Sequence, residues 1–188
     1  LQVKLLRFLI LLAILVFADQ ASKIWSENNL LLRSDQSDSE IYQGSKEPIF
    51  KWSNSTDAET DELGSNWIIF QFNYVRNHGA AWGTFSSLSD SIRLPIFHVL
   101  TVVFCAFFIG VAFKSRLGSS LLFKIGVALM VSGATGNLID RVTRGYVVDL
   151  LDLRWSLAGW VYALPVFNLA DLYVIIGVFL FSIPLLSR

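Results

Sequence analysis

Phe167-Asn168-Leu169-Ala170-Asp171 opens the last apolar run of the chain, Leu172 to Leu186. Asp171 thus stands one step inside a segment of membrane length. A charged Asp at the centre of a membrane helix costs ~2.5–3.5 kcal/mol on insertion scales, and less near the interface. A residue carried at that cost marks a functional site by default, provided that a partner can be named. The partner expected is Asp149, in Gly145-Tyr146-Val147-Val148-Asp149. The remaining chain must then build a fold that brings these two carboxylates to one place.

Composition gives the class. Of the 188 residues, 54% are hydrophobic and only 16% are charged. Soluble domains average ~25% charged residues, so this is a membrane protein. The formal net charge of +0 argues neither way about nucleic acid, and no such partner is expected. The charges are segregated, however. Nine of the fifteen acidic residues fall between Glu27 and Glu62, offset there only by Arg33, Lys46 and Lys51. Cys105 is the sole cysteine, so no intramolecular disulfide can form. It lies in an apolar run and reads as a small packing residue.

Leu5 to Phe17 is apolar and follows Lys4 and Arg7, like a secretory signal peptide. Ala18-Asp19-Gln20-Ala21-Ser22-Lys23 puts charges where a cleavage site needs small neutral residues. A retained first helix is therefore expected, over about 4–25. The chain opens on Leu1 rather than Met, which leaves room for residues ahead of it. Asp19 and Lys23 are spaced i, i+4 and share a face. A helix-end ion pair, with Lys23 snorkelling to the interface, is as good a reading of them as a functional one.

Residues 27–66 read as an acidic extracytoplasmic insertion, too polar to bury a core and in part without fixed structure. Asn54-Ser55-Thr56 matches a glycosylation acceptor, a tripeptide common by chance. Trp67 to Val75 is aromatic and β-branched, as in a strand. It leads into Arg76-Asn77-His78-Gly79-Ala80-Ala81-Trp82-Gly83, whose glycines allow close backbone approach. His78 could serve as a base, but a lone His is more often without such a role. Further membrane helices are expected at about 92–113, 121–139 and 168–186, with strand-like or hairpin structure at 67–86 and 145–163. Trp155, Trp160 and Tyr162 suit a membrane interface.

Lys4, Arg7, Lys114, Arg116, Lys124 and Arg188 lie at one set of helix ends. By the positive-inside rule those ends are cytoplasmic, and so are both termini. Asp19, Lys23, Asn77, Asn137, Asp140, Arg141, Asp149, Asn168 and Asp171 then all fall toward the extracytoplasmic face. The basic residues alone set that topology, so the convergence of the others is independent support for a site.

Two carboxylates held together cannot both ionise cheaply, so they share a proton. One activates a water as general base while the other donates a hydrogen bond to the scissile carbonyl, as in aspartic proteases. The chain has no His-Glu-x-x-His, cysteine cluster, phosphate-cradling loop or Gly-x-Ser-x-Gly elbow. Neither metal nor cofactor is expected. Spacing leaves the pairing open: Asp140 or Asp152 could partner Asp171 as well as Asp149. Asn168, at the start of the last helix, is expected to cap free N–H groups and so aim Asp171.

Four blocks resemble the lipoprotein signal peptidases, or signal peptidase II, in that family's order. They are Asp19 to Lys23, Val75 to Gly83, Gly136-Asn137-Leu138-Ile139-Asp140-Arg141 with Gly145 to Asp149, and Phe167 to Asp171. The resemblance implies four transmembrane helices with a small extracytoplasmic β-cradle. It implies an aspartic endopeptidase of the bacterial cytoplasmic membrane, inhibited by globomycin. Such an enzyme cuts prolipoproteins before a diacylglyceryl-modified cysteine. It places the catalytic pair on Asp149 and Asp171. It assigns substrate-binding or supporting roles to Asp19, Lys23, Asn77, Gly79, Asn137, Asp140, Arg141 and Asn168. The partners implied are a prolipoprotein and membrane lipid, with the chain acting as a monomer. Three departures stand out: Trp82 in place of Phe, the long acidic segment, and extra residues around Ser156 to Ala163.

Two other functions fit a small polytopic chain. A transporter or proton relay would use Asp19, Lys23 and Asp171, but would spread polar groups through the membrane depth. A non-catalytic assembly factor would dock through residues 27–66, but would be expected to lose one Asp of the pair.

Overall fold

The computed structural model describes residues 2–30, 46–53, 66–79, 89–114 and 120–186. Its elements run α1 (Gln2–Leu30), β1 (Lys46–Ser53), β2 (Trp67–Asn77), α2 (Asp90–Lys114), α3 (Leu121–Arg144), β3 (Val147–Leu157), β4 (Trp160–Ala163) and α4 (Leu169–Leu186). All four helices are long and apolar enough to cross a membrane. The shortest, α4, has 18 residues, and so extends about 27 Å at 1.5 Å per residue. That nearly matches the ~30 Å hydrocarbon core. The chain is a multi-pass membrane protein with a small antiparallel sheet, as its sequence leads one to expect.

The chain divides into two compact units. The helical unit comprises Leu1–Ser22, His78–Val147 and Leu169–Arg188. Its central element is α3, which packs on both α2 and α4. Half of its apolar window is buried, against about a tenth or less in the other helices. Phe8, Ala112, Phe123, Val127, Ala128 and Val131 form the core. Phe181 of α4 closes it, its ring 4.8 Å from that of Phe123 and 5.4 Å from that of Phe108.

In lipid, helices gain little from hiding apolar surface from each other, so association depends on close packing of small residues. The α3–α4 seam shows this. A Cβ on Gly126 would lie 2.6 Å from the Phe181 nitrogen, and one on Gly177 would lie 2.7 Å from the Gly126 carbonyl oxygen. Both ends of α3 are capped. Ser120 Oγ accepts from the Phe123 N–H at 3.4 Å. Gly145, at φ 80°, ends the helix and donates its N–H to the Arg141 carbonyl at 3.2 Å. The helix therefore runs to Arg144, five residues past the end expected near 139.

The sheet unit comprises Lys23–Asn77 and Val148–Asn168. Its strand order is β1-β2-β3-β4. β1 pairs antiparallel with β2, with an irregularity between Pro48 and Phe50. β3 and β4 form a hairpin in register Leu157↔Trp160. Its two turn residues, Ala158 at φ 51° and Gly159 at φ 83°, are both left-handed, as a type I′ turn requires. An antiparallel bridge ties Leu151 to Phe167. The end of α1 joins this unit through Trp25, whose ring lies 4.8 Å from that of Phe72. β1 lies inside the acidic segment, where no strand was expected. Residues 27–30 of that segment belong to α1 and Asn66 precedes β2, while 31–45 and 54–65 lie outside the described residues, Asn54-Ser55-Thr56 included. So does Ala80 to Gly83, with Trp82.

Candidate active site

In the sheet unit the site is built on β3. Asp149 is 2% exposed. Its Oδ2 accepts from Asn77 Nδ2 at 2.9 Å, at the end of β2. Its Oδ1 accepts from Asn168 Nδ2 at 2.7 Å. Three backbone bonds hold the chain before Asn168 in place. The N–H groups of Leu150 and Leu151 donate to the Phe167 carbonyl at 3.0 and 2.8 Å, and the Phe167 N–H donates to the Leu151 carbonyl at 3.0 Å. Asn168 is fully buried and also donates to the Val148 carbonyl at 3.2 Å. Two acceptors on one amide nitrogen fix which way that amide faces.

Asp152, three residues along, has a different environment. It is fully buried and accepts from Gln71 Nε2 at 3.0 Å, Asn73 Nδ2 at 3.0 Å and Arg154 Nε at 2.9 Å. Arg154 Nη2 completes an ion pair at 2.8 Å. Burial pushes the Asp152 carboxyl up, but the bonds from Arg154, Gln71 and Asn73, with the Arg154 charge, hold it below the usual carboxylate range. The bond to Asp152 in turn raises Arg154.

In the helical unit, Asp171 lies in the first turn of α4, and its Oδ1 accepts from Asn137 Nδ2 of α3 at 3.0 Å. Asp19, fully buried on α1, accepts from the backbone N–H of Ala170 at 3.0 Å. A side chain 151 residues away thus does part of the capping expected of Asn168. Its charge also suits the positive end of the α4 dipole. Gly136 makes room for it, since a Cβ there would strike the Asp19 carboxylate. Asp140 is fully buried and accepts from Gln20 Nε2 at 3.1 Å and Arg144 Nη1 at 2.7 Å. Arg141 Nη2 donates to the Gly79 carbonyl at 3.2 Å, and its guanidinium carbon lies 4.5 Å from the Phe97 ring centroid.

The ten site residues expected from sequence therefore divide between the units. Lys23, Asn77, Asp149 and Asn168 belong to the sheet unit, and the other six to the helical unit. Lys23 and Asp19 are both fully buried, and α1 runs on to Leu30. Neither is the exposed helix-end residue that snorkelling would require. His78 is exposed, its ring 5.5 Å from that of Tyr146. Gln20, Arg144 and the Gln71–Asn73–Arg154 set around Asp152 were not read from sequence. Arg144 could have been, since it stands i+4 from Asp140 on a helix drawn to its full length.

A family model described as Signal peptidase (SPase) II matches residues 11–187. The chain belongs to the signal peptidase II family. It is thus an enzyme of the aspartic-peptidase type. The lipoprotein signal peptidase of Geobacter sulfurreducens is 41% identical over 121 residues, covering 64% of this chain and 71% of that protein. That of Clostridioides difficile is 31% identical over 170 residues, covering 90% of this chain and 88% of its own. A bacterial membrane enzyme solved by the in meso method at 2.3 Å superposes with a TM-score of 0.65 at 26% identity. That likeness covers 96% of this chain and 88% of the solved one.

Signal peptidase II chemistry needs carboxylates that can exchange a proton. Asp140 and Asp152 each hold an arginine. Breaking a buried ion pair of this kind is costly. Asp149 accepts from the Asn77 and Asn168 amides and Asp171 from the Asn137 amide, and these bonds orient the two carboxylates.

Proposed function

We propose that the chain removes signal peptides from diacylglyceryl-modified prolipoproteins, cutting before the lipidated cysteine, with Asp149 and Asp171 as its catalytic pair. One observation carries the choice of pair. Asn168 donates to Asp149 and stands three residues before Asp171. Three residues of chain span at most about 11 Å, so the residue that orients one carboxylate tethers the other.

The pair shares one proton. The ionised carboxylate takes a proton from a water as that water attacks the scissile carbonyl carbon. The protonated carboxyl hydrogen-bonds to the carbonyl oxygen, which becomes the oxyanion of the tetrahedral intermediate. Proton return to the amide nitrogen lets the C–N bond break. Asn77, Asn137 and Asn168 orient the carboxylates. Asp19, Lys23, Gly79, Asp140 and Arg141 support them and the substrate backbone. The basic helix ends put both termini in the cytoplasm and the site near the extracytoplasmic face, within reach of a lipid-anchored substrate. The enzyme works as a monomer with membrane lipid around it, and is sensitive to globomycin.

The test is product analysis by mass spectrometry, with the purified chain in lipid and paired prolipoprotein peptides, one diacylglyceryl-modified at cysteine and one not. Cleavage of the modified peptide alone, at the bond before the cysteine, is expected. Equal cleavage of both peptides, or a cut elsewhere, would contradict the proposal.

A further inference from the structure

We propose that Gln20 and Arg144 are positioning residues for Asp171, acting through Asp19 on the first turn of α4. This rests on the reading of Asp171 as catalytic. All four residues belong to the helical unit. The contacts form one continuous path. Asp19 Oδ1 accepts from the Ala170 N–H, one residue before Asp171. Asp19 Oδ2 accepts from Gln20 Nε2 at 3.1 Å. The same amide nitrogen donates to Asp140 Oδ1 and to the Gly136 carbonyl, each at 3.1 Å. Arg144 Nη1 donates to Asp140 Oδ1 at 2.7 Å and approaches Gln20 Oε1 at 3.4 Å.

Each part has a physical reason. Asp19 and Asp140 are both fully buried, and two carboxylates turned toward one small region repel each other. The Gln20 amide stands between them as a shared donor. Its three acceptors exceed its two N–H hydrogens, so at least one bond is three-centred. The amide helps only in one orientation. If it flipped, Oε1 would face both carboxylates. Arg144 opposes that flip by pointing a donor at Oε1, and it neutralises Asp140 as well. Gly136 lies against the same Asp19 oxygen that accepts from Gln20, and a Cβ there would strike it. Asp19 is thus held at Oδ2 by Gln20 and Gly136 while its Oδ1 holds Ala170. Ala170 is fully buried, its carbonyl against Gly133, so the turn that carries Asp171 has little freedom once Asp19 is set.

A small misplacement of a reacting group can cost on the order of 100-fold in rate. Gln20→Glu keeps the size of the side chain but replaces the donor with a third carboxylate. Arg144→Met removes the group that orients the amide, and Arg144→Lys restores a cation and donor. The measurement is steady-state cleavage of a lipidated prolipoprotein peptide by the full chain in lipid, with thermal unfolding of each variant. Gln20→Glu and Arg144→Met are expected to lose about 10–100-fold in kcat with KM within about twofold of the parent. Arg144→Lys is expected to recover most of that loss.

An unchanged kcat in Gln20→Glu would overturn the proposal. So would a loss that appears in KM, or one that tracks only the fraction of folded protein. If Gln20→Glu does not fold, the Arg144→Met and Arg144→Lys pair decides on the same criteria. Asp171→Asn runs alongside: should it cleave normally, the reading of Asp171 fails. A dead Asp171→Asn beside a fully active Gln20→Glu would sink only the positioning role.

Discussion

Asp149 and Asp152 stand three residues apart on one strand and accept from different partners. Asp152 has Arg154, Gln71 and Asn73 around it, and its carboxyl is held below the usual range. The folded protein therefore keeps this group ionised at a pH where the unfolded chain, near the ordinary value of 3.8, has begun to take up a proton. The stabilisation is complete above that value and is lost as pH falls through the lower folded value. Below about pH 4, unfolding of the parent should become steeply easier, and Asp152→Asn should remove that steepness. Equal acid sensitivity in parent and variant, followed by tryptophan fluorescence, would contradict the assignment of Asp152 to an ion pair. Spacing in the sequence could not separate Asp152 or Asp140 from Asp149 as the partner of Asp171. The side chains around Asp152 and Asp140 come partly from nearby, Arg154 two residues along β3 and Arg144 four along α3, and partly from distant elements, as Gln71 and Asn73 of β2 and Gln20 of α1 do.

The helices were legible as elements because each apolar run has membrane length, but their ends follow local chemistry. α3 continues until Gly145 can take a left-handed φ and close its C-terminus. α4 is capped in part by Asp19, 151 residues distant, a contact no local pattern could show. β1 was missed because the acid-rich composition around it hides Pro48-Ile49-Phe50-Lys51-Trp52, which pairs along β2. The β3–β4 turn has a defect that can be tested. Ala158 holds φ 51° where Asn or Gly is preferred, and a left-handed residue with an ordinary Cβ is strained by ~1–2 kcal/mol. Ala158→Asn should stabilise the fold by up to about 1 kcal/mol, because Asn tolerates that conformation better. The bond from the Ala158 N–H to Asn66 Oδ1, 2.8 Å, uses the backbone and is retained. Thermal unfolding would check this, and a lowered Tm would count against a strained turn.

At the scale of the whole molecule, the fold class was readable because lipid leaves few choices: a spanning segment must satisfy its own backbone, and the apolar runs are long enough to do so as helices. The family resemblance then set the order of the polar blocks, and the match over residues 11–187 bears out that assignment. The central claim is that Asp149 and Asp171 act as one catalytic unit. Its most direct test is kcat for cleavage of a lipidated prolipoprotein peptide by Asp149→Asn, Asp171→Asn and the double variant, each shown to be folded. Each single change should cost on the order of 10²–10⁴-fold or more, and the double variant should be little worse than either, as expected of residues that act together. Near-parental cleavage by either single variant, or a double variant whose loss is the product of the two single losses, would contradict the claim.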